Sequence, residues 1–394
     1  MASRRRPSNS EAGRGGAGGD AATAVPSVSE PIRMSDSAPR QRHAASLPSL
    51  APAGAREGSR GGAGAAPRTR PAAARLLRER LDASSRVLVL GAGGWFGSTA
   101  LDLLADAGTG AQLLALTGRP RWSVVNGRRW RLSGWDTGAV VRFAPTHVVN
   151  CAFLTRDLVA SRSRERYISD NVKLSARFLQ TLELPSLRAA VTVSSGAALA
   201  ATAGLPELET EPYGYLKRVE ELLAHAVAAE RAVPVTVCRA WSVTGPFVTR
   251  PREYAFSDLV AQAGEGSLRL RSAHQVWRRY VGVDELLGVA LALAHDGSSG
   301  TLESGGPLVE LGELALLVAH ELAVEERVER PAPNGQPADH YHSDGSSWRE
   351  ACRRLGYLPA TLEEQIRGVA DALLADRSAL RGRSKLTHSG KAAA

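Results

Sequence analysis

Cysteine is nearly missing from this chain: three in 394 residues, Cys151, Cys238 and Cys352. They lie far apart and form neither a close metal-binding pair nor an even disulfide set, which makes a reducing, cytoplasmic compartment the expectation. No apolar run reaches the roughly 18 residues that cross a bilayer, so no membrane partner is expected. Lysine is scarce as well, occurring only at 173 and 217 between residues 81 and 384. The formal charge of +9 is not spread over the chain. Residues 1–80 hold 14 Arg and six acidic residues, leaving 35 basic and 34 acidic residues beyond them. A surplus confined to one end argues against a nucleic-acid partner. That stretch is rich in Ala, Gly, Ser, Pro and Arg and has little apolar periodicity, so it is expected to be a disordered tail. Trp122, Trp130 and Trp135 carry no stacking repeat and no accompanying basic patch, and are expected to pack in core and loops.

What is present begins at Arg86. Val87-Leu88-Val89-Leu90 reads as a buried parallel strand, Gly91, Gly94 and Gly97 as a tight turn, and the apolar-periodic run that follows as a helix. A strand, a glycine turn and a helix start make an anion site, because backbone amides and the positive end of the helix dipole face the ligand. A dinucleotide pyrophosphate suits it, held by Gly91, Gly94, Trp95, Phe96 and Gly97. A second strand, Ala111–Leu116, ends at Thr117-Gly118-Arg119-Pro120-Arg121, where an NAD-binding chain would present an acid to the ribose. Here stand Arg119 and Arg121, whose guanidinium geometry favours the 2′-phosphate of NADP, NAD remaining the alternative.

Further strands at Thr146–Ala152 and Ala189–Ser195 continue a doubly wound α/β pattern, placing Asn150, Ala152 and Ser195 at the carboxyl edge where ligands of such sheets lie. Tyr213 and Lys217 then fall four apart behind Pro212, on one face of a predicted helix. A phenol is a poor base at neutral pH, and a neighbouring ammonium lowers its pKa, so the two together can move a proton to or from a carbonyl oxygen. His340-Tyr341-His342 with Asp344 has metal-like spacing but no further ligand, so no metal is expected.

The glycine turn, Ser194-Ser195-Gly196 and Tyr213-Gly214-Tyr215-Leu216-Lys217 closely resemble the extended short-chain dehydrogenase/reductase family, in its nucleotide-sugar epimerase/dehydratase branch. Later runs are similar to the same branch: Arg239–Pro246, His274–Leu286 with Arg278, and Leu355-Gly356-Tyr357-Leu358-Pro359. The resemblance implies a Rossmann NAD(P)-binding domain over 84–245, its sheet completed by 277–300. A smaller α/β substrate-binding part would follow at 246–276 and 301–378, and a flexible tail at 379–394. It implies Ser195, Tyr213 and Lys217 as catalytic, Tyr213 and Lys217 also touching the cofactor, and Ser195 and Arg278 touching a nucleotide-sugar substrate. A homodimer is allowed for. Gly196-Ala197 stands where the dehydratases of this family carry an acidic pair, which disfavours dehydration. Three readings stay open: an NADPH-dependent reductase of a keto-sugar nucleotide, an epimerase with tightly bound NAD, and a non-catalytic NADP-binding sensor or scaffold.

Overall fold

Uninterrupted Val and Leu runs are stable only where both faces of a strand are covered, and the sheet is built from such runs. The computed structural model describes residues 72–200, 208, 210–324 and 328–374. Its strands are β1 (Arg86–Leu90), β2 (Gln112–Leu116), β3 (Arg121–Val125), β4 (Arg128–Leu132), β5 (His147–Asn150), β6 (Ala189–Ser195) and β7 (Val235–Ala240). There follow β8 (Ser242–Thr244), β9 (Leu268–Arg269), β10 (Val276–Gly282), β11 (Gly300–Glu303), β12 (Leu308–Glu310), β13 (Val328–Glu329) and β14 (Asp339–His340). Six of them form one parallel sheet in the order β11-β7-β6-β5-β1-β2. Chain order reverses across β1, which pairs with β2 on one side and β5 on the other. Ligands of open α/β sheets bind at that switch point, outside the carboxyl ends of the strands.

The helices are α1 (Ala72–Arg78), α2 (Trp95–Ala107), α3 (Thr137–Phe143), α4 (Arg164–Leu182) and α5 (Ala197–Ala200), then α6 (Pro212–Arg231), α7 (Ala255–Ala263), α8 (Val283–His295), α9 (Leu311–Glu321) and α10 (Ser346–Leu355), with residues 362–374 helical as well. The period of two in β1 sorts its side chains: Val87 and Val89 join the core with α1, α2 and α8, Leu88 and Leu90 the core with α4 and α6. A separate core lies among α7, α9, β10 and residues 362–370. The doubly wound α/β architecture is as the sequence implies.

Three features differ from the sequence reading. Residues 72–78, inside the expected tail, form α1, whose Leu76 and Leu77 are buried against α2 and α8. Seven residues of Ala, Arg and Leu give too little periodicity to stand out. The central sheet is closed by Gly300–Glu303, whereas Val276–Gly282 pairs with β8, β12 and β14 in a second sheet. The third is the β3–β4 hairpin, which lifts Trp122 out to 61% exposure with the Arg129 guanidinium 4.8 Å from its ring centroid. Trp122 is therefore not a packing residue, while Trp130 and Trp135 are half-buried against the cores. Of the tails expected at 1–80 and 379–394, residues 1–71 and 379–394 lie outside the described residues.

Candidate active site

Beyond β1 the backbone leaves no room for a side chain at Gly91 or Gly97. Gly91 takes φ +73°, and a Cβ on it would stand 2.6 Å from the Cys151 backbone at the end of β5. A Cβ on Gly97 would stand 2.2 Å from the Gly91 carbonyl oxygen, so the first turn of α2 lies directly on the strand turn. Gly94 caps α2 without a side-chain hydrogen bond, so no side chain blocks the amides of the first helical turn. A helix start without a side-chain cap, pressed against a glycine-rich turn, fits a pyrophosphate. Trp95 is buried edge-on to Phe96 and Tyr254, at 5.9 and 5.1 Å, with its indole Nε1 lacking a partner. Arg119, singled out in the sequence, is exposed. The arginine that reaches the turn is Arg121, whose Nη2 donates to the Gly93 carbonyl at 3.1 Å and which lines a 240 Å³ cavity with Pro120, Trp122, Arg131 and Gly134.

At the end of β6, Ser195 Oγ accepts the Ala197 amide at 3.2 Å and lies 3.4 Å from the Tyr341 hydroxyl. Helix α6 brings Tyr213 to the same place. Pro212 opens the helix, and Gly214 lets it rest on α5, since a Cβ there would be 2.5 Å from the Ala197 carbonyl oxygen. Burial pushes the Tyr213 phenol up to about 12, opposed by its hydrogen bond with Ser195 and reinforced by Tyr341, Tyr254 and Glu220. Lys217 is buried. Its Nζ donates to the Val193 carbonyl at 2.6 Å, pairs with Glu220 at 3.4 Å and lies 3.7 Å from the Phe153 ring centroid. Burial lowers its pKa, against the pull of Glu220. The ammonium is thus engaged with the sheet and a carboxylate, and Phe153 also meets Tyr213 edge to face at 5.8 Å.

Asn150 is buried, its amide donating to Thr192 Oγ1 at 3.0 Å and its oxygen accepting the Ala152 amide at 3.1 Å, so it braces the groove from inside. Arg278 pairs with Asp339 at 2.6 Å and lies 5.6 Å from the Tyr341 ring centroid. Trp241 packs on Tyr341 and against Gly196. Ser195, Tyr213, Tyr341, Trp241 and Arg278 thereby face one region. The sequence reading left Phe153, Glu220, Trp241 and Tyr341 out of the site; Tyr341 was visible only inside the metal-like run. Among the described residues no group of three His, Cys, Asp or Glu side chains can hold a metal ion, and no helix is long and apolar enough to cross a membrane.

The NAD dependent epimerase/dehydratase family model matches residues 87–303, more than half of the chain. The chain belongs to that family. No curated protein matches the sequence. Among solved structures, the Thermotoga maritima UDP-glucose 4-epimerase with UDP-glucose is 20% identical, with a TM-score of 0.57 over 74% of this chain and 99% of that one. The Bordetella bronchiseptica enzyme WbmF with NADH is 16% identical, TM-score 0.61, over 80% and 99%. RMD from Pseudomonas aeruginosa with NADPH is 19% identical, TM-score 0.55, over 74% and 98%. At these identities the structures establish a shared fold. Family and fold together make the protein an extended short-chain dehydrogenase/reductase-type enzyme.

Proposed function

We propose that this family member is an NADPH-dependent reductase of a keto-sugar nucleotide. The observation that carries the reading is the Tyr213–Ser195 hydroxyl pair at the end of β6, whose phenol, raised by burial, is protonated at neutral pH as an ordinary tyrosine is. A protonated phenol is a donor. Tyr213 gives its proton to the sugar oxygen as negative charge develops there, and Ser195 steadies that oxygen through its hydroxyl. Lys217 fixes the electrostatics beneath Tyr213. A nicotinamide dinucleotide would supply the hydride, its pyrophosphate held by the amides of Gly91, Gly94, Trp95, Phe96 and Gly97. Arg119 and Arg121 are the groups for a 2′-phosphate, Asn150 and Ala152 form the groove wall, and Arg278 meets the substrate diphosphate. The expected setting is cytoplasmic, with a homodimer as the allowed assembly and neither nucleic acid nor membrane as partner.

The second reading, an epimerase with tightly bound NAD, draws its support from the likeness to the UDP-glucose 4-epimerase. Absorbance of the purified protein separates the two, because a bound nicotinamide that survives purification favours the epimerase. The catalytic reading itself is tested by Tyr213→Phe, expected to slow NADPH oxidation with a keto-sugar nucleotide by about 10²- to 10⁴-fold at unchanged melting temperature. Turnover retained in that variant overturns it. Arg121→Ala should weaken NADPH binding far more than NADH binding, and equal weakening removes the 2′-phosphate assignment.

A further inference from the structure

Glu220 has no part in the proton transfer described above, yet it is 1% exposed. A buried carboxylate is stable only with donors around it. Ser175 Oγ from α4 donates to it at 2.5 Å, Thr192 Oγ1 from β6 at 3.1 Å, and Lys217 Nζ pairs with it at 3.4 Å. The same Thr192 hydroxyl accepts the Asn150 amide, and Asn150 accepts the Ala152 amide. A continuous hydrogen-bonded row therefore runs from the end of β5, at the switch point of the sheet, to the Lys217 ammonium. On its other sides that ammonium meets the Val193 carbonyl and the face of Phe153.

We propose that Glu220 is a positioning residue that locks Lys217 against the sheet as a neutral ion pair, so that Tyr213 is presented as a proton donor and not as a phenolate base. The inference rests on the reading of Tyr213 and Lys217 as the proton-transfer pair. An unpaired ammonium stabilises a nearby phenolate, whereas an ion pair acts at a distance only as a dipole, whose field falls off faster. The other groups packed there leave this balance to the two residues. Glu221 is taken up by Arg239, Arg218 and Ser194. The Cys151 thiol is pushed up to about 12 by burial and stays neutral. Tyr167 donates to the Leu154 carbonyl, and burial raises the Tyr254 phenol. Ser195 and the Tyr341 hydroxyl complete the surroundings of Tyr213.

The test needs no substrate. In the full-length protein labelled with ring-¹³C tyrosine, the resonance missing from Tyr213→Phe is followed through a pH titration. In Glu220→Gln the midpoint should fall by at least one pH unit, a tenfold loss of proton affinity, while Glu220→Asp stays close to the parent. A midpoint that stays put or rises in Glu220→Gln overturns the proposal. Should that variant fail to fold, the double variant Lys217→Met with Glu220→Gln removes a pair and leaves no lone buried charge. Its midpoint is expected within threefold in proton affinity of the parent; a large rise would mean that Lys217 had been acting unpaired, and refutes the lock. Turnover retained in Tyr213→Phe would defeat the proposed function without touching this titration, so the two failures are separable.

Discussion

Gly97→Ala puts the anion cradle to its sharpest test. The added methyl carbon would lie 2.2 Å from the Gly91 carbonyl oxygen and 2.6 Å from Ala92 Cα, both backbone atoms fixed by the β1 turn. Neither neighbour can swing aside, so the first turn of α2 must lift away from the strand end. Overpacking of this kind destabilises by about 1–3 kcal/mol. The larger effect falls on binding. Charge-assisted hydrogen bonds from the helix amides contribute about 1.5–3 kcal/mol each, and losing one or two of them weakens dinucleotide affinity by roughly 10- to 1,000-fold or more. Titration calorimetry with NADPH and NADH measures this, and thermal melting reports the stability term. Gly118→Ala is the control, since a Cβ there meets nothing within 4 Å. Binding by Gly97→Ala within threefold of the parent, with Gly118→Ala unchanged, refutes the cradle.

Leu77→Ala should lower stability by about 2–5 kcal/mol in urea unfolding, because Leu77 is 1% exposed within the core shared with α2 and α8; an unchanged midpoint would place residues 72–78 outside the cooperative fold. His147 is 1% exposed and stacked on His295, and burial pushes its pKa down to about 4. An unfolded chain therefore takes a proton near pH 6.5 that the folded one accepts only near pH 4, so stability declines across that window by up to about 3 kcal/mol. His147→Gln should flatten the decline, and an identical decline in that variant would assign it elsewhere. Asp339→Asn frees Arg278 from a half-exposed partner, for which surface-pair energies of about 0–1 kcal/mol apply. The variant should bind a nucleoside diphosphate severalfold more tightly, and weaker binding would remove Arg278 from the diphosphate site.

The parts of this protein legible in its sequence are those fixed by neighbours a few residues apart. The glycine turn is read from a three-residue spacing, and the Tyr213–Lys217 pair from a four-residue one, and both depend on a single strand or helix. Ser195 with Tyr341 spans 146 residues, and no local period announces it. Arg119 and Arg121 are both read from their distance to the glycine turn; the structure sets Arg121 against the Gly93 carbonyl and leaves Arg119 exposed, a difference that spacing along the chain does not carry. Strands of two or three residues, such as Asp339–His340 and Ser242–Thr244, are too short to carry alternation, and Val276–Gly282 joins the second sheet through them.

Two of the cations in the proposed assignment, Arg278 and Lys217, are paired with carboxylates, and the depth of each pair decides what it can do. Asp339 holds Arg278 at 2.6 Å with 44% of its side chain exposed, so water and an incoming diphosphate can replace it at little cost. Glu220 holds Lys217 with both side chains almost wholly buried, where removing one partner leaves a charge that nothing else can solvate. The outer pair can therefore exchange with substrate while the inner pair persists through it. On the proposed function, substrate recognition and proton delivery would thus rest on separate supports, Arg278 near Tyr341 and the Lys217–Glu220 pair.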